Sequence, residues 1–268
     1  MNEISSIVPE PLQTSVRKMT ARIGSILGSG LLSAYLYGSA ACGDFRPGWS
    51  DIDILVLTSG TISVPAAERL VSLRQEMLSE EPDNIYYRSF EGGMLSLDAF
   101  RNNAPDRVVY WGTSGERISE RYDFNSFSRL SLIDSGILLS GEDVRGKLPV
   151  PSFDELKKDV AAHLDTIRKY AHLSGRSLYS FGWMLDISRC LYTLMTGKIA
   201  PKTAAGEWAL EQGLCPVPEV LEYALKIRRS PLLFRDDPDV QEFAGSINDA
   251  VQKYADVLEA AMHRSSIS

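Results

Sequence analysis

Two aspartates separated by a single residue are the side chains of this sequence that point most directly to chemistry. Asp51 and Asp53 stand in an apolar segment, where they alternate with Ile52, Ile54 and Val56. Side chains at positions i and i+2 of a β-strand point to the same face, so the spacing predicts one face for both carboxylates and the other for the aliphatic residues. The segment therefore predicts a strand with a metal-binding face and a core-packing face.

A Gly-Ser pair precedes these aspartates and extends the pattern. Gly38 and Ser39 follow an apolar run, and Ser50 begins the Ser-Asp-Ile-Asp segment. A glycine turn lets backbone amides approach phosphate oxygens closely, and the serine hydroxyl adds a further hydrogen-bond donor. In two-metal sites, adjacent carboxylates hold two cations that clamp the attacking and leaving oxygens of a displacement. The combined pattern indicates transfer of a nucleotidyl group from a nucleoside triphosphate, with Gly38, Ser39 and Ser50 predicted to bind the nucleotide and two Mg²⁺ ions bound by Asp51 and Asp53.

Such a site needs a third acid, either to complete the metal shell or to accept the proton of the attacking hydroxyl. Glu91 is the preferred candidate because it lies on the next predicted strand, beside Gly92 and Gly93, which leave space at the site. Asp98 is the alternative. We therefore predict Asp51, Asp53 and Glu91 as the catalytic, metal-binding carboxylates.

Composition limits the classes of partner and compartment. The chain has 268 residues, a net charge of -7 and a pI of about 5.1, which argues against a nucleic-acid backbone as its main partner. Its cysteines, Cys42, Cys190 and Cys215, form no C-x-x-C pair, which favours a reducing compartment, the cytoplasm. No window of the sequence is long and apolar enough for a transmembrane helix, so we expect no membrane association.

Some polar and aromatic residues leave alternatives open. Tyr110 and Trp111 could stack on a base or sugar ring, but aromatic side chains in a mixed α/β region more often pack in the core or at its rim. His163 falls on an otherwise apolar helix face, where we expect a packed histidine and not a metal ligand.

The N-terminal half reads as a mixture of helices and strands. Apolar residues at helical spacing predict helices over about residues 12–27 and 66–77, and β-propensity predicts strands at about residues 33–37 and 52–57. A third strand, beginning near Ile85, is expected to be interrupted at Gly92-Gly93.

The C-terminal half reads as a helical bundle. Ser152 and Glu155 predict a capping box at the start of a helix, and Gly197 predicts the end of a second helix over about residues 178–195. Further helices are expected over about residues 203–212, 218–229 and 239–261. We therefore predict an α+β chain, with a nucleotidyltransferase domain of mixed sheet and helices over residues 1–150 and an all-helical domain over residues 151–268 that closes the active-site cleft.

The motifs resemble those of a known family. Gly38-Ser39 followed by Ser-Asp-Ile-Asp is similar to the signature of the polymerase-β-like nucleotidyltransferases. Residues 196–202, Thr-Gly-Lys-Ile-Ala-Pro-Lys, with Arg189 before them and Ala-Gly-Glu-Trp after them, resemble the C-terminal domain of the aminoglycoside adenylyltransferases that modify streptomycin and spectinomycin. The resemblance implies that the aspartates bind magnesium, that Glu91 is the base, and that Arg189 and Lys202 contact the phosphates of ATP.

The resemblance leaves the acceptor open. Streptomycin-modifying members carry an acidic residue just before the helix of Arg189, whereas this chain has no acid in residues 175–183. The expected reaction is transfer of AMP from ATP to a hydroxyl of a small molecule, with an aminoglycoside-type antibiotic as one candidate. A protein or RNA acceptor and a non-catalytic nucleotide-binding protein are the alternatives.

Overall fold

A computed structural model describes residues 8–104, 106–112 and 114–265. The chain divides into two compact units. Unit 1 comprises Met1–Phe45 and Ser50–Val150, and unit 2 comprises Arg46–Trp49 and Pro151–Ser268. Unit 1 contains a mixed sheet with helices and unit 2 is helical, so the predicted α+β class is confirmed.

A single sheet of six strands forms the centre of unit 1. Its strands are β1 (Leu31–Tyr37), β2 (Ile52–Thr58), β3 (Phe90–Ser96), β4 (Val108–Gly112), β5 (Gly115–Ser119) and β6 (Ile137–Gly141). Their spatial order is β5-β4-β3-β2-β1-β6. The pair β2 and β3 is parallel, and the other neighbours are antiparallel. The N-terminal ends of β2 and β3 therefore meet at the same edge of the sheet.

The unit 1 helices flank this sheet. They are α1 (Glu10–Leu27), α2 (Gly38–Ala41), α3 (Val64–Glu80), α4 (Leu97–Arg101) and α5 (Ser126–Ser135). The buried sides of α1 and α3 pack in one core cluster with Ile52, Ile54 and Val56 of β2. The opposite face of β2, with Leu55 and Leu57, belongs to a second cluster. The strand alternates as predicted, and Asp53 lies on the side of Leu55 and Leu57.

Strand β3 differs from the expectation. It begins at Phe90, after a short 3₁₀ helix over Tyr87–Ser89, and it continues through both glycines to Ser96. The predicted interruption at Gly92-Gly93 is wrong because these glycines permit close packing within the strand. A Cβ on Gly92 would lie 1.8 Å from the Ile54 carbonyl oxygen, and one on Gly93 would lie 2.4 Å from the Tyr122 ring.

Unit 2 contains seven α-helices among the described residues. They are α6 (Phe153–Tyr170), α7 (Gly182–Thr196), α8 (Lys202–Glu211), α9 (Pro218–Arg229), α10 (Pro231–Phe234), α11 (Pro238–Ser246) and α12 (Asn248–Ser265). None of the described helices has both the length and the apolar character needed to cross a membrane.

Local signals at the helix ends of unit 2 are confirmed. Ser152 and Glu155 form the complete capping box, and Gly197 ends α7 in the left-handed conformation with a φ of 68°. The helix expected over residues 239–261 is instead divided at the buried Ile247, whose φ and ψ of -81° and 1° interrupt the helical geometry. Residues 178–181 form a 3₁₀ turn before α7 rather than part of that helix.

Residues Arg46–Trp49 pack with unit 2, although their chain neighbours belong to unit 1. The Trp49 ring lies 5.8 Å from that of Tyr179, and Arg235 Nη2 donates to the Gly48 carbonyl at 3.3 Å. Trp49 is buried.

Candidate active site

Strand register brings Asp53 and Glu91 side by side. Asp53 of β2 is the partner of Glu91 on the parallel strand β3, and it is also the partner of Tyr37 on the antiparallel strand β1. Residues directly opposite each other in a sheet point to the same face, so these three side chains form one row across it. Both carboxylates are half-buried. The sheet thus unites two of the predicted catalytic acids, which lie far apart in sequence.

The structure distinguishes Glu91 from its alternative, Asp98. Glu91 lies at the N-terminal end of β3, next to Asp53, whereas Asp98 is exposed on α4, beyond the C-terminal end of that strand. Strand rise places Ser96, at the far end of β3, about 17 Å from Glu91. Asp98 therefore lies at the far edge of the sheet from Asp53.

Asp51 is placed differently from the expectation. Strand β2 begins at Ile52, so Asp51 is an exposed residue just before the strand and not a member of it. Its charge still contributes to the raised pKa of Tyr110, whose hydroxyl contacts Glu91. Asp51 therefore lies near the other two carboxylates, but the regular strand pairing that fixes Asp53 does not fix it.

The Gly38-Ser39 turn lies against Asp53. Gly38 has a φ of +67°, and a Cβ at this position would lie 2.1 Å from Asp53 Oδ2. The turn continues into α2, with the Gly38 amide donating to Ser131 Oγ at 3.3 Å and the Asp44 amide donating to the Ser39 carbonyl at 3.0 Å. Ser50 is buried just before Asp51. Only glycine permits this close approach of main chain and carboxylate.

Tyrosine hydroxyls surround the two carboxylates. Tyr110 Oη donates to Glu91 Oε1 at 2.8 Å, and burial followed by this carboxylate raises the pKa of Tyr110 to about 12. Burial raises the pKa of Tyr37 and of Tyr122 as well, with a further contribution from the negative charge of Asp53. The hydroxyls of Tyr37 and Tyr122 share a hydrogen bond. All three tyrosines are therefore neutral hydrogen-bonding groups at neutral pH.

Tyr110 and Trp111, which are adjacent on β4, point to opposite faces of the sheet. Trp111 is fully buried in the core, where its indole Nε1 donates to the Leu70 carbonyl at 2.9 Å. Tyr110 points to the opposite face and reaches Glu91. Core packing is thus the correct interpretation for Trp111, while Tyr110 belongs to the site. Alternation along the strand, visible in the sequence, was the signal for this difference.

The donor chemistry of this site suits magnesium. Among the described residues, no group of three or more His, Cys, Asp or Glu side chains is already arranged to hold a metal ion. Magnesium commonly uses only one or two protein carboxylates and takes its other oxygen ligands from water and substrate phosphates. Asp53, Glu91 and the nearby Asp51 therefore meet the requirement without a closed protein cage.

Unit 2 contains a charged cluster centred on Asp186 of α7. Its carboxylate lies 2.9 Å from Lys202 Nζ, 3.9 Å from Arg189 Nη1 and 3.9 Å from His163 Nε2. The Asp186 side chain is only 14% exposed. Burial opposes its ionisation, but Lys202, His163 and Arg189 outweigh that effect and hold the pKa of Asp186 well below 3.8. Arg189 Nε also donates to the Ala200 carbonyl at 3.2 Å.

This cluster changes two interpretations made from the sequence. Arg189 and Lys202 lie together, as their joint assignment to phosphate binding requires, but Asp186 between them was not predicted. His163 is 40% exposed beside Asp186, so the expectation of a histidine packed on an apolar face is wrong. The spacing of Asp186 and Arg189, three residues apart on one helix, was the available signal for their proximity.

Two family models match successive parts of the chain. Residues 18–96 match the model described as a nucleotidyltransferase domain. Residues 152–254 match the model described as an aminoglycoside adenylyltransferase, C-terminal domain. The first match contains Gly38, Asp53 and Glu91, and the second contains Asp186, Arg189 and Lys202.

Similar proteins cover most of the chain. An aminoglycoside (3'') (9) adenylyltransferase of Escherichia coli is 24% identical over 270 residues, which are 94% of this chain and 92% of that protein. A spectinomycin 9-adenylyltransferase of Campylobacter jejuni is 27% identical over 201 residues, covering 69% of this chain and 73% of that protein.

A solved structure shares the fold. It is the crystal structure of the spectinomycin adenyltransferase AAD(9) from Enterococcus faecialis with ATP and spectinomycin, which is 17% identical with a TM-score of 0.61 and covers 92% of this chain and 99% of that one. Together, the two family models and the similar proteins show that the chain is an enzyme of the nucleotidyltransferase type, and the solved structure shows the shared fold.

Proposed function

We propose that this protein is a magnesium-dependent adenylyltransferase that moves AMP from ATP to a hydroxyl of a small aminoglycoside or aminocyclitol antibiotic. The register pairing of Asp53 with Glu91, beside the Gly38 turn, is the observation that carries the proposal. The names of the similar proteins support AMP as the transferred group and an antibiotic as its acceptor.

In this proposal each polar group has one task. The Gly38-Ser39 turn binds phosphate oxygens, and Asp51 and Asp53 hold magnesium, which would neutralise charge on the α-phosphate and the departing pyrophosphate. Glu91 accepts the proton of the acceptor hydroxyl. That oxygen forms a bond to the α-phosphorus, the bond from this phosphorus to the pyrophosphate oxygen breaks, and the proton remains on Glu91.

Arg189 and Lys202 complete the proposed set. Both are cations held in fixed positions by Asp186, and guanidinium and ammonium groups pair strongly with phosphate oxygens. We assign them to the triphosphate. Ser50 is assigned a supporting role for the loop that carries Asp51, because its side chain is buried rather than exposed to ligand.

The direct test compares matched carboxylate variants in an AMP-transfer assay. Purified protein, ATP and Mg²⁺ are incubated with streptomycin, spectinomycin and other aminoglycosides, and mass spectrometry detects the adenylylated product. The variant Glu91→Gln is expected to lose about 10³-fold in kcat, the range for removal of a general base. Asp98→Asn is the matched control and is expected to stay within about twofold of the unchanged protein.

Three outcomes would contradict parts of the proposal. Equal losses in the two variants would remove Glu91 from its role, and a larger loss in Asp98→Asn would transfer the role to Asp98. Transfer that persists in EDTA would exclude dependence on magnesium. Failure of the unchanged protein to modify any compound of the panel would overturn the small-molecule function.

A further inference from the structure

The hydroxyl of Tyr110 fixes one oxygen of Glu91. Tyr110 Oη lies 2.8 Å from Glu91 Oε1, within the range of a good charge-assisted hydrogen bond. Tyr110 is the register partner of Gly93 on β3, two residues beyond Glu91, so its side chain stands on the same face of the sheet as the carboxylate. The second oxygen, Oε2, takes no part in this hydrogen bond.

The Tyr110 ring is itself held on two sides. A Cβ on Gly112 would lie 2.3 Å from Tyr110 Oη and 2.6 Å from two ring carbons, so the ring crosses the space that a side chain at this position would fill. The Arg117 guanidinium lies 4.3 Å from the ring centroid, on the neighbouring strand, where Arg117 is the register partner of Tyr110. Such stacking of a cation on an aromatic face is attractive.

The end of β4 that carries Gly112 is also hydrogen-bonded by a side chain of helix α3. Arg74 of α3 is buried, and its Nη2 donates to the Gly112 carbonyl at 3.1 Å, while its Nη1 donates to the Phe90 carbonyl at 2.8 Å. Phe90 directly precedes Glu91. One side chain therefore holds the strand that carries Glu91 and the strand that carries Tyr110 at the point where they meet.

We propose that Tyr110 is a positioning residue for Glu91, which it orients so that Oε2 meets the acceptor hydroxyl. This inference rests on the proposed function, since it assigns Glu91 the proton-accepting role. A carboxylate free to rotate about its side-chain torsions would sample many orientations, and fixing one oxygen removes most of them. Tyr110 acts through Glu91, and Gly112 and Arg117 keep its ring in place.

The first test is a kinetic comparison of Tyr110→Phe with the unchanged protein. Phenylalanine keeps the ring that stacks on Arg117 and removes only the hydroxyl. We expect kcat to fall about 10-fold, while the KM for ATP changes less than about twofold, because orientation of the base matters in the transition state. In a Glu91→Gln background the same substitution should have no further effect on kcat. Tyr170→Phe, an exposed tyrosine of α6, is the matched control.

A second variant perturbs the hydrogen bond between Tyr110 and Glu91 without replacing either residue. Gly112 lies at a backbone φ that alanine accepts, so Gly112→Ala should displace the Tyr110 hydroxyl while leaving Tyr110 and Glu91 in the sequence. We expect it to reproduce the kcat loss of Tyr110→Phe, with no further loss in the double variant. A fully active Tyr110→Phe protein, or an additive double variant, would overturn the inference.

A stability measurement separates this inference from the proposed function. Urea unfolding midpoints of Tyr110→Phe, Glu91→Ala and the double variant form a thermodynamic cycle that needs no substrate. We expect Tyr110→Phe to lower the midpoint when Glu91 is present and to change it little in the Glu91→Ala protein. Absence of this coupling would overturn the Tyr110 assignment. Absence of AMP transfer by the unchanged protein, with the coupling intact, would overturn the proposed function instead.

Discussion

In unit 1 the carboxylates Asp53 and Glu91 lie among neutral tyrosine hydroxyls, whereas in unit 2 the carboxylate of Asp186 lies among three basic side chains. A hydroxyl orients a carboxylate and leaves its charge in place. A lysine at 2.9 Å balances the negative charge with a positive one and keeps the carboxylate ionised. The comparison shows the same functional group hydrogen-bonded by a neutral hydroxyl in one environment and held as the counter-ion of basic side chains in another.

This difference has a consequence for catalysis. Basic neighbours stabilise the ionised form of a carboxylate and so weaken it as a proton acceptor. Asp186 therefore positions Lys202 and Arg189 rather than taking a proton itself. The following measurements test the environment of Asp53 in unit 1 or that of Asp186 in unit 2.

The largest expected effect comes from Gly38→Ala in unit 1. The new Cβ would lie 2.1 Å from Asp53 Oδ2, so Asp53 or the turn must move. Misplacement of a catalytic group by about 1 Å costs about 100-fold in kcat/KM, and we expect at least this loss in AMP transfer.

Gly28→Ala is the matched control for that substitution. Gly28 also has a positive φ, of +54°, but no heavy atom lies within 4 Å of the added Cβ. Both variants lose about 1 kcal/mol of stability from backbone strain. Equal activities in the two variants would show that contact with Asp53 is not the reason for a glycine at position 38.

The next effect is a pH-dependent loss of stability in unit 2. Asp186→Asn removes the charged partner of Lys202, Arg189 and His163. We expect the free energy of unfolding at pH 7 to fall by about 2 kcal/mol. This is less than the loss for a fully buried ion pair, because the three basic side chains are partly exposed. The folded-state pKa of Asp186 is lowered, so its contribution is complete above the ordinary value of 3.8 and declines as the pH falls below it.

Chemical unfolding of the unchanged protein and of Asp186→Asn between pH 7 and pH 2.5 measures the difference between their free energies of unfolding. This difference should shrink below about pH 4, because the carboxyl group of the unfolded chain takes up its proton first. Asp256→Asn is the control, because Asp256 pairs with Arg168 at 2.6 Å but its side chain is 69% exposed. A difference that grows with acid would contradict the depressed pKa of Asp186.

A smaller effect is expected on substrate binding. If Asp186 holds Lys202 and Arg189 for the triphosphate, Asp186→Asn should raise the KM for ATP about 10-fold with a smaller change in kcat. The substitution should add little in a Lys202→Ala background, because the cation that it positions is already absent. Independent, multiplicative effects of the two substitutions would indicate that Asp186 serves stability alone.

The smallest effect concerns thiol reactivity in the two units. Cys42 of unit 1 is exposed, whereas Cys190 and Cys215 of unit 2 are buried. Burial, with the charge of Asp186, raises the pKa of Cys190 to about 12, and burial raises that of Cys215 to about 11. Iodoacetamide should therefore label Cys42 alone in the native protein, as read by peptide mass spectrometry. Labelling of native Cys190 would show that the Asp186 region opens readily.

Local features of both units could be predicted from the sequence. Alternation along residues 52–57 indicated a strand with Ile52 and Ile54 in the core, and Ser152 with Glu155 indicated a capped helix start. These signals operate within a few residues, where spacing alone decides which side chains meet. The choice of Glu91 over Asp98 as the third acid came from its predicted strand and its neighbouring glycines, and it remains a prediction until the variants are assayed.

The interpretations that failed depended on contacts distant in sequence. Gly92 and Gly93 looked like a strand interruption because glycine weakens an isolated strand, but the neighbouring strand and the Tyr122 ring occupy the space they leave. His163 looked like a core residue because its helical neighbours are apolar, yet it lies beside Asp186 of another helix. In both cases the partner that decided the outcome lay outside the local window.

The sequence by itself determined the Gly-Ser turn and the alternating strand that begins at Ile52, because each is a local pattern of residue type and spacing. Only the tertiary structure decided that Asp53 faces Glu91 across two parallel strands, that Tyr110 holds Glu91, and that Asp186 holds Lys202. Strand register and helix packing depend on which distant segments pair, and many pairings are compatible with the same local pattern. Candidate reacting groups could therefore be proposed from the sequence, whereas the side chains that contact them could not.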